Sequence, residues 1–173
     1  TIINRIDPES QISESLKSRE SGDQMIFILP EDKILGNPTV GEVAKKLNAR
    51  VLYGENLLDR HVKGFGVAAM QLRNCLSRIS DGDLVITPGD RADVIVASLS
   101  ALASTSMPNI SGLLLTGGLE PEEPIQQLIR GFKNIVPILL VKENTFEAAR
   151  EADSIQSRIY PEDRQTVVRA LSL

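Results

Sequence analysis

Residues 83–103, DLVITPGDRADVIVASLSALA, and residues 110–118, ISGLLLTGG, decide the fold. Asp83 to Ile86 is an aliphatic run of strand length, of the kind buried on both faces of a sheet. Thr87-Pro88-Gly89 is turn chemistry. Asp90 to Ala103 is rich in Val, Ile, Ala and Leu and predicts a helix. Ile110 to Leu115 predicts a second strand. Strands alternating with helices imply right-handed crossovers and a mainly parallel sheet.

The same alternation extends in both directions. Downstream, the sequence predicts a helix from Pro121 to Phe132, a strand from Pro137 to Val141, a helix from Thr145 to Ala152, and a last helix from Pro161 towards Leu171. Upstream, Thr39 with Glu42 three residues later is a capping box, and Val40, Val43, Ala44 and Leu47 form a helical stripe. Arg50 to Gly54 predicts a short strand. Val62 to Ala69 contains Gly64 and Gly66, which predicts a bulged or edge strand. Ala69 to Ile79 predicts a helix with Leu72, Cys75, Leu76 and Ile79 on one face. The first residues give a separate strand–helix–strand unit. Thr1 to Ile6 is a strand, Asp7-Pro8-Glu9 starts a helix carrying Ile12 and Leu16, and Met25 to Leu29 is a buried strand. Gly36-Asn37-Pro38 reads as a linker. The expected fold is therefore α/β, a mainly parallel sheet with helices on both faces in three layers. The expected domains are residues 1–35 and 36–173. The start at Thr1, inside a strand, suggests a piece of a longer chain.

Composition narrows the function classes. The 173 residues are 42% hydrophobic with a net charge of −4, which argues against disorder. Aromatics make up only 3%, so the core must be aliphatic. A pI near 5.1 and the lack of a basic cluster argue against a nucleic-acid surface. No apolar run reaches the about 18 residues of a membrane-spanning helix, and no signal-like segment is seen. A single cysteine, Cys75, excludes an internal disulfide framework and a cysteine-rich zinc site. It fits a reducing, cytoplasmic setting.

Ligands of alternating α/β sheets gather outside the carboxyl ends of the strands. Three strand-to-helix turns there carry chemistry: Thr87-Pro88-Gly89-Asp90-Arg91, Thr116-Gly117-Gly118 and Glu143-Asn144-Thr145. If the strands are parallel, all three share one rim. The candidate ligand-binding residues are Thr87, Asp90, Arg91, Thr116, Gly117, Gly118, Asn144 and Thr145. Each has a plainer reading. Asp90 with Asp93 three residues on suits a helix cap, and Arg91 can brace a neighbouring carboxylate. Alternatively, Arg91 and helix N–H groups would face a phosphate or carboxylate. Gly117-Gly118 lacks the spacing of a dinucleotide fingerprint and can be a simple turn. Catalytic patterns are lacking: no P-loop, no nucleophile elbow, and one histidine, His61, in a charged stretch. No catalytic residue and no metal site is expected.

Gly89-Asp90-Arg91-Ala92-Asp93-Val94-Ile95 and Gly112-Leu113-Leu114-Leu115-Thr116-Gly117-Gly118 resemble the signature of the DRTGG domain. Gly36-Asn37-Pro38-Thr39-Val40, Pro137-Ile138-Leu139-Leu140-Val141 and Asn144-Thr145 resemble the same family, so the likeness runs from about residue 36 to 152. That domain is the middle module of long bacterial phosphate acetyltransferases. It also occurs in regulatory pyrophosphatases with CBS modules, and is related to the amino-terminal domain of HPr kinase. Ile2-Ile3-Asn4-Arg5 and Leu29-Pro30-Glu31-Asp32 resemble the end of a dethiobiotin-synthetase-like P-loop domain. The phosphate loop and the acetyltransferase domain are not in this sequence.

The resemblance implies a non-catalytic regulatory or assembly module. Its parent would convert acetyl-CoA and phosphate to acetyl phosphate and CoA. It implies no bound cofactor, but a nucleotide, NADH or pyruvate as effector. It also implies a homodimer or higher oligomer, and catalytic or P-loop domains of the parent as partners. The alternatives are a dimerisation scaffold without ligand and a fragment of an ATP-dependent dethiobiotin-synthetase-like enzyme. The first reading predicts a small anion at the rim that is lost in Arg91→Ala.

Overall fold

The computed structural model describes residues 2–6, 27–30 and 37–155. The chain divides into two units, Asn37–Ser157 and Thr1–Gly36 with Arg158–Leu173. The helices expected after Asp7 and after Pro161 lie outside the described residues. In the first unit, β1 (Ile2–Ile6) pairs with β2 (Phe27–Pro30) in parallel, with Ile3 opposite Ile28. A parallel pair requires a crossover between its strands, as the strand–helix–strand reading expects.

The larger unit runs α1 (Val40–Lys46), β3 (Arg50–Tyr53), β4 (Gly64–Val67), α2 (Leu72–Leu76), β5 (Asp83–Pro88), α3 (Ala92–Ala101), β6 (Gly112–Thr116), α4 (Glu123–Gly131), β7 (Ile138–Leu140) and α5 (Thr145–Asp153). The capping box forms as read: Thr39 Oγ1 accepts from Glu42 N at 3.1 Å, and Glu42 Oε2 accepts from Thr39 N at 2.8 Å. Helix α2 is shorter than expected. Its chain tightens at Cys75, whose carbonyl accepts from both Arg78 N and Ile79 N.

The sheet order is β3-β7-β6-β5-β4. Strands β4 to β7 are mutually parallel and step in one direction across the sheet. Crossovers of a single hand must then put α2, α3 and α4 on the same face. They do. Cys75 of α2, Val94, Ile95 and Leu99 of α3 and Ile129 of α4 share a cluster with Val85, Leu113, Leu115, Ile138 and Leu140. The alternate strand residues, Leu84, Ile86, Leu114 and Leu139, point the other way. There Val40, Val43 and Ala44 of α1 and Ala148 and Ala152 of α5 cover them. The result is the expected three-layer α/β fold. The core is aliphatic: among the residues whose burial is described, no aromatic side chain is buried, and Tyr53, Phe65 and Phe132 only pack on its margins.

Strand β3 is antiparallel to β7, with Arg50 opposite Leu140. Alternation alone did not predict this. No helix joins β3 to β4; the chain crosses instead through a single 3-10 turn at Glu55–Leu57. An antiparallel edge on a parallel sheet is a common solution. Its consequence is local: β3 begins, rather than ends, on the rim where β5, β6 and β7 end. Strand β4 is the opposite edge, as its two glycines suggested.

Candidate functional site

The three chemically rich turns do lie on one rim, because β5, β6 and β7 are parallel neighbours. Backbone bonds tie them in series. Gly89 N donates to Thr116 O at 3.2 Å, Gly117 N to Glu143 O at 2.7 Å, and Gly118 N to Val141 O at 2.8 Å. Both glycines of the middle turn have positive φ, +80° at Gly117 and +67° at Gly118, which explains why glycine stands there. Their amides are spent on the next turn, so the pair joins two turns and offers no free N–H for a phosphate.

Gly89 has a different reason to be glycine. A Cβ there would lie 1.7 Å from Leu119 O, so the β6–α4 turn folds directly over the end of β5. Helix α5 begins with Asn144, whose Oδ1 accepts from Glu147 N at 3.0 Å. Behind it, Thr116 Oγ1 and Thr145 Oγ1 share a hydrogen bond of 2.8 Å. Thr116 is buried and Thr145 partly buried.

Asp90 does not cap α3. The helix starts after Arg91, with no side-chain cap, and Asp90 is exposed. The carboxylate that acts at this end is Asp93, inside the first turn. Arg91 holds it with two bonds, Nε to Oδ1 at 2.8 Å and Nη2 to Oδ2 at 2.9 Å. Arg91 Nη2 also donates to Met70 O at 3.1 Å. The Arg91 hydrogen bond lowers the Asp93 pKa below the usual carboxylate value, and the Asp93 hydrogen bond raises that of Arg91. Bracing is what the pair does in the structure; an incoming anion would have to displace Asp93 from the guanidinium.

The eight residues singled out from sequence lie on one rim, but on both sides of the sheet. Thr87 is on the α3 side of the sheet, fully buried, and its Oγ1 has no partner among the described residues. Thr116, one residue later in the cross-strand register, points to the α5 side. A cavity of about 340 Å³ beside the rim is lined by Leu52, Tyr53, Glu120, Pro121, Gln126 and Arg130, and contains none of the eight.

Three rim features escaped the sequence reading. The first is the Arg50–Glu120 ion pair, which exists only because β3 is antiparallel. The others are Leu119, 45% exposed, and Phe146, 74% exposed, two apolar side chains facing out beside the glycine turn and the Asn144 cap. His61 lies partly buried near the linker, its Nδ1 3.3 Å from Asn37 O. Cys75 is buried and its thiol donates to Met70 O at 3.1 Å. No group of three or more His, Cys, Asp or Glu among the described residues could hold a metal ion. No helix among them is long and apolar enough to cross a membrane.

Known proteins resemble the chain along its whole length. It is 42% identical over 179 aligned residues to a phosphate acetyltransferase of Nitratidesulfovibrio vulgaris, covering 99% of this chain and 25% of the relative. It is 34% identical to one of a Synechocystis strain, again covering 99% of this chain and 25% of the relative. The chain therefore spans about a quarter of the length of these curated relatives. A crystal structure of the CBS and DRTGG domains of the regulatory region of Clostridium perfringens pyrophosphatase, complexed with its activator diadenosine tetraphosphate, superposes with a TM-score of 0.54 at 20% identity. That likeness covers 93% of this chain and 70% of the other, and concerns the fold. The model of the DRTGG domain matches residues 42–155, which include the clasped Arg91–Asp93 turn and the Gly117-Gly118 turn, and the chain belongs to the DRTGG domain family.

Proposed function

We propose that this chain is a non-catalytic regulatory module of a longer phosphate acetyltransferase. It binds a small anionic metabolite or a nucleotide at the carboxyl rim and thereby biases how copies of the parent assemble. The observation that carries this reading is the serial bonding of the three turns. A ligand that moves Gly117 or Gly118 pulls on the 89–91 turn through Thr116 and on the start of α5 through Glu143. A ligand shifts an assembly only by the difference in its affinity for the two states. Arg91 is the switchable element, because its partner carboxylate can be exchanged for a ligand's. Residues 1–35 would be the tail of the P-loop domain that precedes this module, and the cytoplasm its compartment. Effectors of the class that activates the pyrophosphatase neighbour, nucleotides, stand beside NADH and pyruvate as candidates.

A specific observation favours a second reading, a scaffold with no ligand: the rim cations Arg91 and Arg50 are both already paired. A thermal-shift series on the chain with ATP, ADP, AMP, NADH, pyruvate, acetyl-CoA and phosphate separates the two. Ligand at a hundred times its dissociation constant adds about 2.7 kcal/mol. A saturable shift that disappears in Arg91→Ala is expected. No shift with any compound, in a chain that still self-associates, would establish the scaffold instead.

A further inference from the structure

Among the described residues the sheet ends at β4, which pairs there only with β5. Ala68 N donates to Ile86 O at 2.8 Å. Alternation along a parallel ladder then turns the amide and carbonyl of Gly66 towards β5, and those of Phe65 and Val67 outward. Among the described residues, no backbone or side-chain partner takes these outward groups. Phe65 packs on the α5-side cluster, and Val67, two residues on, shares its face. Ala68, and with it Gly66, faces the α2 side. Val67 is 46% exposed and Met70 37%. A groove of about 240 Å³ runs along this edge, lined by the strand from Phe65 to Ala68 and by Met70, Cys75, Arg78 and Ile79.

We propose that β4 is a self-pairing edge: two copies of this chain join β4 to β4, antiparallel, about a two-fold axis at Gly66. Two five-stranded sheets become one of ten strands. The register follows from the sequence Phe65-Gly66-Val67. With the axis at residue 66, Phe65 of each copy lies opposite Val67 of the other. These are the residues whose N–H and C=O point outward, so each such pair exchanges both hydrogen bonds. It also forms an aromatic–β-branched cross-strand contact on one face. Gly66 meets Gly66 in the non-hydrogen-bonded pair, where Cα atoms come closest, about 4.5 Å. A residue without a side chain suits that position. No other register centred on β4 pairs both outward residues with outward residues.

A four-residue strand pair falls short of the about 1,200 Å² that specific, stable interfaces bury. The contact is therefore weak by itself, with a dissociation constant in the micromolar range or above. It rests on the assembly half of the regulatory reading, which requires a reversible contact.

Sedimentation equilibrium of the 173-residue chain from about 10 μM to about 1 mM should show a monomer–dimer equilibrium. Hydrogen exchange gives the location. Protection of the Phe65 and Val67 amides should rise with concentration, while that of Ala68, already bonded to β5, should not. Val67→Pro removes one outward N–H and spares the ladder to β5, and should weaken association at least tenfold. Val67→Lys sets a charge against Phe65 of the second copy and should do the same if the proline variant folds poorly. Phe146→Ser, at the most exposed apolar side chain, should leave association unchanged. A chain monomeric throughout, unaltered association in both Val67 variants, or concentration-independent protection at Phe65 and Val67 would each overturn the proposal. Any of these would leave a ligand-induced thermal shift at the rim intact, so failure here is distinguishable from failure of the sensor reading.

Discussion

Helices α3 and α5 begin on the same rim, from neighbouring turns, yet their first amides are satisfied differently. α5 has a side chain ahead of the helix: Asn144 accepts from Glu147 N. α3 has no such cap: Val94 N and Ile95 N donate to Arg91 O, and the Asp93 carboxylate works from inside the first turn, held by Arg91. A cap placed ahead of a helix leaves that helix start self-sufficient. A carboxylate inside the first turn needs a cation to hold it, and that cation can be competed for. On the proposed reading, the α3 end is where a ligand would exchange partners, and the α5 end would only follow it through the Gly117–Glu143 bond.

The glycines of the two regions should break most unequally. Gly89 has an ordinary φ and is glycine for lack of space, its virtual Cβ lying 1.7 Å from Leu119 O. Gly118 has φ +67° and nothing nearer than Lys142 Cα at 3.8 Å. Gly89→Ala should therefore cost at least the upper end of the ~1–3 kcal/mol typical of overpacking. Gly118→Ala should cost about 1–2 kcal/mol, the penalty of a left-handed residue. Denaturant unfolding of both variants checks the order, and the reverse order would mean that the β6–α4 turn does not rest on β5.

Asn144→Ala comes next, at about 1 kcal/mol for a lost N-cap. Its effect should be confined to α5, read as faster amide exchange at Glu147. The start of this helix at Thr145 was legible from sequence, as was the capping box at Thr39, although Asn144 itself was read as a ligand candidate and not as a cap. Such caps depend on residues three apart, and local spacing carries them. The alternation that gave the three-layer sheet is equally local. The direction of β3 was not legible, because it depends on which edge the strand joins, and the Arg50–Glu120 pair went with it. The three rim glycines looked alike in sequence. Only the path of Leu119 over β5 separates Gly89, which needs space, from Gly117 and Gly118, which need a positive φ. Asp90 was read as the cap because it stands where caps usually stand; the Arg91 N–H to Pro88 O turn delays the helix start past it.

The smallest effects belong to the charges. The Arg91–Asp93 pair is partly exposed, so Asp93→Asn should cost about 0.2–1 kcal/mol at neutral pH. The sign with pH follows from the lowered Asp93 pKa. Its contribution is complete above the unfolded carboxylate value, near 3.9, and disappears as pH falls through the lower folded value. The melting-temperature gap between wild type and Asp93→Asn should therefore close on acidification. Asp90 is the limiting case. It is exposed, and its carboxylate makes no hydrogen bond among the described residues, so Asp90→Ala should leave stability within about 0.5 kcal/mol. That makes it the cleanest probe of the exchange argument. An anion approaching Arg91 must also approach the Asp90 carboxylate, so Asp90→Ala should bind such a ligand more tightly, while Asn144→Ala should not. A ligand whose thermal shift is unchanged by Asp90→Ala would have to sit away from the α3 end.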